Sequence, residues 1–203
     1  MILNLKNNIK AIDMKLRKRL LAIFLLFGCV SAMQGQNKFH FDLDYHYYLG
    51  LSEKFMNRTF HRDTDKMGGN SLRFTARYDL SPLWSAGVGL GLDCYTNPSY
   101  NSMPIFATVR CKAIKTVPEL YAFSDLGYAV KVGGYSKGFT GSLGIGYTYS
   151  FAKHLGVNFQ IAYNLKCFDD LPTYTIDTYL NRTTYSEEDA TRHSLSFGIG
   201  LTF

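Results

Sequence analysis

The segment His193-Ser194-Leu195-Ser196-Phe197-Gly198-Ile199-Gly200-Leu201-Thr202-Phe203 alternates a large residue with Ser, Gly or Thr without a break. A period of two separates two faces only in an extended strand, so one apolar face and one small, polar face are predicted here. In a water-soluble fold a second layer covers such an apolar face. This chain stops on Phe203, and the expectation is that lipid provides the cover.

The same alternation recurs upstream. Phe39, Phe41, Leu43, Tyr45, Tyr47, Leu49 and Leu51 stand against His40, Asp42, Asp44, His46, Tyr48 and Gly50. Leu72 to Leu80 stands against Ser71, Arg73, Thr75, Arg77 and Asp79; past the Ser81-Pro82 turn, Trp84 to Leu92 stands against Ser85, Gly87, Gly89, Gly91 and Asp93. Ile105, Ala107, Val109 and Cys111 oppose Phe106, Thr108, Arg110 and Lys112, and a less regular fifth segment sets Leu120, Ala122, Leu126, Tyr128 and Val130 against Tyr121, Phe123, Asp125, Gly127 and Lys131. Phe139 to Phe151 and Leu155 to Leu165 complete the series, joined by a tight turn at Lys153-His154. The segments are close to the roughly 9 to 11 residues that a tilted membrane strand needs.

These segments predict an all-β fold: a closed antiparallel up-and-down transmembrane β-barrel of about eight strands over residues 37–203. Closure follows because an open sheet edge in lipid strands its amides, so the first strand is expected to pair with the last. The polar stretches Ser52 to Gly69 and Phe168 to Ala190 read as loops, and connections after the second, fourth and sixth strands are short. Barrels of the outer membrane keep short turns in the periplasm, which places both termini there.

Ahead of the strands, Lys15-Leu16-Arg17-Lys18-Arg19 precedes Leu20 to Phe27 and a small-residue exit, the pattern of a cleavable signal peptide over residues 1–36. Val30 and Ala32 fit a cut after Ala32, and Gly35 or Gln36 is the alternative. Met14 directly before the basic cluster makes residues 1–13 a candidate upstream mis-called start. Leu26-Phe27-Gly28-Cys29 approaches a lipid-attachment box, but Phe27 is large for its place. Cys94, Cys111 and Cys167 remain after cleavage, an odd number that argues against a disulfide framework.

The formal charge of +6 does not point to nucleic acid. Six cations and one anion lie before Gln36, leaving +1 for the remainder and no basic stripe to hold phosphates.

In strand pattern, loop lengths and terminal strand, Phe39 to Phe203 resembles the small eight-stranded outer-membrane β-barrel proteins of Gram-negative bacteria, the group of OmpX and the transmembrane domain of OmpA. The resemblance implies a place in the cell outer membrane among lipid and lipopolysaccharide. It also implies that Leu195, Phe197, Ile199, Leu201 and Phe203 form the terminal signal read by the outer-membrane assembly machinery.

An eight-stranded barrel is filled by its own side chains. The inward charges, Asp42, Asp44, Arg73, Arg77, Asp79, Asp93, Arg110, Lys112, Asp125, Lys131 and Lys166, carry both signs and are expected to pair internally, plugging the lumen. His40, Asp42, Asp44 and His46 share one face, but no second element completes a metal site, and no cofactor or metal is expected. Gly87-Val88-Gly89-Leu90-Gly91 lacks the spacing and following helix of a dinucleotide loop and reads as inward glycine in a crowded wall. His193 and Ser194 are adjacent on a strand, so they face opposite ways and form no catalytic contact. The expected role is a monomer, not an enzyme, in envelope structure or surface interaction through its external loops. Those loops carry Tyr174, Tyr179 and Tyr185 among Asp and Glu residues. The alternatives are a lipid-modifying outer-membrane enzyme, with His46 or His154 completing a site, and a small porin-like channel.

Overall fold

Alternating residues become strands wherever the alternation was read. The computed structural model describes residues 38–203 apart from 113, 115, 153–154 and 178–181. The signal peptide expected over 1–36, the Lys153-His154 turn and Tyr179 lie outside the described residues.

Ten strands and, among the described residues, no helix make up the fold: β1 (Phe39–Phe55), β2 (Arg58–His61), β3 (Gly68–Asp79), β4 (Trp84–Thr96), β5 (Tyr100–Ser102), β6 (Pro104–Cys111), β7 (Leu120–Ala129), β8 (Gly138–Ala152), β9 (Leu155–Asp177) and β10 (Arg182–Thr202). The order is β10-β9-β8-β7-β6-β4-β3-β1-β2, with β5 on the outside of this path against β4. β10 also pairs with β1, so each of the eight long strands has a hydrogen-bonded neighbour on both sides. This seam runs antiparallel from Asp42 opposite Thr202 to Phe55 opposite Ala190, and it is the pairing expected from the need to satisfy edge amides. Residues His40–Phe203 form one compact unit.

The strand count of about eight therefore holds for the long strands and misses β2 and β5. Both lie in stretches expected to be loop. The Ser52 to Gly69 stretch begins as a hairpin: β1 runs on to Phe55 and turns through Met56 and Asn57, both at positive φ (49° and 60°), into β2. That two-residue turn type favours Asn-Gly, so Met-Asn did not signal it.

The larger correction concerns Phe168 to Ala190. This stretch is a continuation of β9 and β10 as a ribbon paired through Tyr174 opposite Tyr185 to Asp177 opposite Arg182. Its Thr and Tyr residues suit strands, but both faces are polar, so no apolar alternation marked it.

Two smaller corrections follow. Lys131 lies past the end of β7 and is exposed, because Ala129 holds the last inward place. The connection after β6, residues 112–119, is as long as the one after β7, residues 130–137. What separates the two ends is the overhang of β1–β2, β4–β5 and β9–β10 at one of them.

Candidate functional site

The side chains sort by parity into a polar interior and an apolar exterior. Asp42, Asp44, His46, Arg73, Arg77, Arg110 and Asp125 are buried, while Leu72, Val88, Leu90, Ile105, Leu126, Leu143, Ile145, Phe159, Ile161 and Ile199 are exposed. A water-soluble protein has the opposite distribution.

Inside, the charges are largely matched, with the exception of Lys166, whose buried Nζ has no hydrogen-bond partner among the described residues and lies 5.7 Å from the Phe168 ring centroid. Asp42 accepts from Arg77 Nε at 2.6 Å and pairs with Arg110 Nη2 at 2.9 Å, while Arg110 reaches Asp44 at 4.0 Å. Asn158 on β9 donates to both carboxylates, at 3.3 and 3.2 Å. One level nearer the overhanging end, Arg73 pairs with Asp125 at 2.9 Å and donates to the Tyr48 hydroxyl at 2.9 Å. Phe106 lies under the Arg73 guanidinium and Tyr121 under that of Arg110, 5.1 and 4.8 Å to the ring centroids. Buried ions survive through such pairing.

Glycine makes room for the large rings. A Cβ on Gly89 would overlap the Phe106 ring, one on Gly146 the Tyr121 ring, and one on Gly198 the His46 ring. The void left among Asp44, His46, Arg73, Thr108, Arg110 and Gln160 is about 10 Å³, at or below the space of one water.

The overhanging end is stoppered a second time. Tyr48, Tyr95, Phe168, Leu171 and Ala190 form a buried apolar cluster, with the Tyr48 and Tyr95 rings stacked at 5.4 Å and Phe168 edge-on to Tyr95 at 5.2 Å. Beside it Arg192 is 1% exposed. It donates to Glu53 at 2.5 Å and to the carbonyls of Gly68, Thr96 and Pro98 at 3.3 to 3.4 Å. Burial raises the Glu53 carboxyl above its ordinary value, and the Arg192 guanidinium offsets only part of that rise. Above this pair a cleft of about 630 Å³ opens between Phe55, Phe60, Lys66, Asn97 and Tyr100. Neither Glu53 nor Arg192 was anticipated as an inward charge. Arg192 was within reach, two residues upstream of inward Ser194 on the same strand.

On the exterior, three tyrosines near the overhanging end tie their hydroxyls to polar neighbours. Tyr45 donates to Asn70 (2.6 Å), Tyr128 donates to Asp169 (2.8 Å), and Tyr163 meets His193 Nδ1. Trp84, Tyr149 and Phe151 are exposed at the opposite end.

Of the terminal residues singled out from the sequence, Phe197, Ile199 and Leu201 are exposed on the outer face, Leu195 is half-buried beside them, and Phe203 exchanges backbone hydrogen bonds with Phe41 (2.8 and 3.1 Å). Of His40, His46 and His154, the first two are described and stand apart from each other's partners. His40 bonds Asp79 at 3.0 Å, His46 is buried, and His154 lies outside the described residues. Among the described residues no three His, Cys, Asp or Glu side chains are grouped to hold a metal. Cys94, Cys111 and Cys167 are free thiols.

No protein-family model and no curated protein matches the chain. Among solved structures it is similar to a de novo designed transmembrane β-barrel (14% identity, 84% of this chain and 97% of that chain, TM-score 0.40). It is similar also to outer membrane protein AlkL in lipid bilayers (12% identity, 80% and 89%, TM-score 0.43) and to Neisserial surface protein A (15% identity, 79% and 96%, TM-score 0.39).

Proposed function

We propose that the chain is a monomeric outer-membrane protein: a closed transmembrane β-barrel, plugged inside, with both termini in the periplasm and its overhanging strands outside the cell. The observation that carries this reading is the inverted distribution of side chains, with paired ions within and bare Leu, Ile, Val and aromatic residues without. From Phe139 to Tyr149 the outward face of β8 spans eleven residues, which at a strand tilt of about 40° rise about 25 Å, the height of the apolar band of such barrels. Aromatic residues bracket that span, as in interfacial girdles.

Its role is contact with the surroundings rather than conduction or catalysis. The filled interior supports the first exclusion: around Asp44, His46, Arg73 and Arg110 the ion pairs and aromatic rings leave a void of about 10 Å³. The ribbon formed by the outer parts of β9 and β10 supports the positive part, since Tyr174 and Tyr185 face each other across it at 68% and 80% exposure. Tyrosine is enriched among the residues that anchor protein contacts. In this reading Leu195, Phe197, Ile199, Leu201 and Phe203 are the tag read by the assembly machinery, and lipid and lipopolysaccharide surround the belt.

Membrane fractionation with gel migration before and after heating tests the reading. A compact, heat-modifiable species in the outer membrane is expected, and a soluble periplasmic species contradicts it. Planar-bilayer recording tests the plug: silence is expected, and steady conductance contradicts it.

A further inference from the structure

The outer face of the seam changes character where the apolar belt ends. A register shift between Gly50 and Ser52 inserts an extra residue into β1, so that beyond it Glu53 turns inward while Ser52 and Lys54 turn outward. Three strands meet there. Ser52 stands opposite His193 of β10 on one side and His61 of β2 on the other, and Lys54 stands opposite Thr191 and Thr59. Directly opposed residues share a face, with Cβ atoms about 5 Å apart. Two rows of donors therefore lie together, His61-Ser52-His193 and, about 7 Å farther along the strands, Thr59-Lys54-Thr191.

No carboxylate belongs to these rows. Glu53, between them in sequence, faces the interior and is held by Arg192, and Asp63 receives the Thr64 amide at 3.0 Å. Lys54 and the ring of His61 have no side-chain partner among the described residues. Tyr163 engages Nδ1 of His193, which leaves Nε2 as the other polar atom of that ring. Next toward the belt come Leu49, Leu195 and Tyr163 on the outward faces of β1, β10 and β9, and Leu165 of β9 stands opposite His193 itself, so the apolar surface reaches the first row of donors. The patch is thus cationic, donor-rich and continuous with the apolar belt.

We propose that this rim, built on Ser52, Lys54, His61, Thr191 and His193, binds the phosphate group of a membrane lipid whose acyl chains lie along Leu49, Leu195 and Tyr163. The proposal rests on the transmembrane reading above. Lipid is favoured over soluble phosphate by position: the donors form the border of the apolar surface, so one amphipathic molecule satisfies both. A phosphate has acceptor oxygens in several directions and matches donors drawn from three strands.

The test is native mass spectrometry of the full chain refolded in detergent and titrated with phosphatidic acid or with phosphatidylcholine of the same acyl chains. The wild type is expected to retain phosphatidic acid preferentially. The Lys54→Gln/His61→Gln variant is expected to bind it about tenfold more weakly, the worth of one charge-assisted hydrogen bond. Lys131→Gln, an exposed lysine on another loop, is expected to leave the preference unchanged. Equal retention of the two lipids by the wild type, or an undiminished preference in the double variant, overturns the proposal. Displacement of phosphatidic acid by equimolar inorganic phosphate overturns the assignment to lipid. Gel migration before and after heating of the same samples separates the two levels: a chain that is not heat-modifiable overturns the transmembrane reading with it, whereas a heat-modifiable chain without lipid preference overturns the rim site alone.

Discussion

Arg192 of β10 and Glu53 of β1 are register partners across the seam, and Arg192 Nε donates to Glu53 Oε2 at 2.5 Å although 139 residues separate them in the chain. Both are 1% exposed. Because the guanidinium also holds the carbonyls of Gly68, Thr96 and Pro98, this one side chain fastens the start of β3 and the far end of β4 to β1 and β10.

Removing one partner leaves the other charge buried and alone. Arg192→Met is therefore expected to lower unfolding stability by about 3 to 5 kcal/mol, read by urea titration of detergent-refolded protein. Arg192→Met with Glu53→Met is expected to recover most of the loss, since two apolar side chains leave no buried charge. A double variant as weak as the single one contradicts the account of the pair.

Ile145 lies midway along the outward face of β8. A lysine there places a charge in lipid, so Ile145→Lys is expected to cost about 2 to 4 kcal/mol for folding into bilayers. Tyr185→Lys on the ribbon is expected to change stability by about 0.5 kcal/mol or less. Equal effects at the two positions contradict the placement of the belt.

Gly146 of β8 sits against the Tyr121 ring, whose hydroxyl accepts a hydrogen bond from Gln160 Nε2 at 3.0 Å. Gly146→Ala is expected to destabilise by about 1 to 3 kcal/mol through overpacking. The same substitution in a Tyr121→Ala background is expected to cost much less, a coupling that a double-mutant cycle measures. Additive losses contradict the glycine's role as space for the ring.

Deletion of Phe203 is expected to reduce the amount of protein reaching the outer membrane while leaving export intact, as read by immunoblotting of periplasmic and outer-membrane fractions. An undiminished outer-membrane level contradicts the assignment of Leu195, Phe197, Ile199, Leu201 and Phe203 as an assembly tag.

Parity explains what was and was not legible in the sequence. From Phe39 to Gly50, from Ser71 to Asp93, from Gly138 to Tyr149 and from Leu155 to Lys166 the alternation gives the faces directly, because a period of two allows one assignment once a side is apolar. At Leu51 the rule fails: the register shift between Gly50 and Ser52 reverses the parity, so Glu53, which follows Leu49 and Leu51 on the outward count, is turned inward. The ribbon beyond Phe168 and Ala190 was missed for a different reason. Leu171 at its base is buried, but Tyr174 and residues 183–187 are exposed, and where neither side is apolar no periodicity distinguishes a strand from a loop. The ion pairs reach across the interior between strands that are not hydrogen-bonded neighbours, Asp42 of β1 with Arg110 of β6 and Arg73 of β3 with Asp125 of β7, and no local pattern connects them.

The central claim is that the exposed apolar residues face lipid while the aromatic and charged interior does not. Trp84, the single tryptophan, is replaced by Phe, and a new one is placed either outward, by Ile145→Trp, or inward, by Phe123→Trp. Both proteins are inserted into vesicles of lipid brominated along the acyl chain, and fluorescence is read. Strong quenching at position 145 with little at position 123 is the predicted result; position 145 quenched by aqueous acrylamide and indifferent to the brominated lipid would contradict the account.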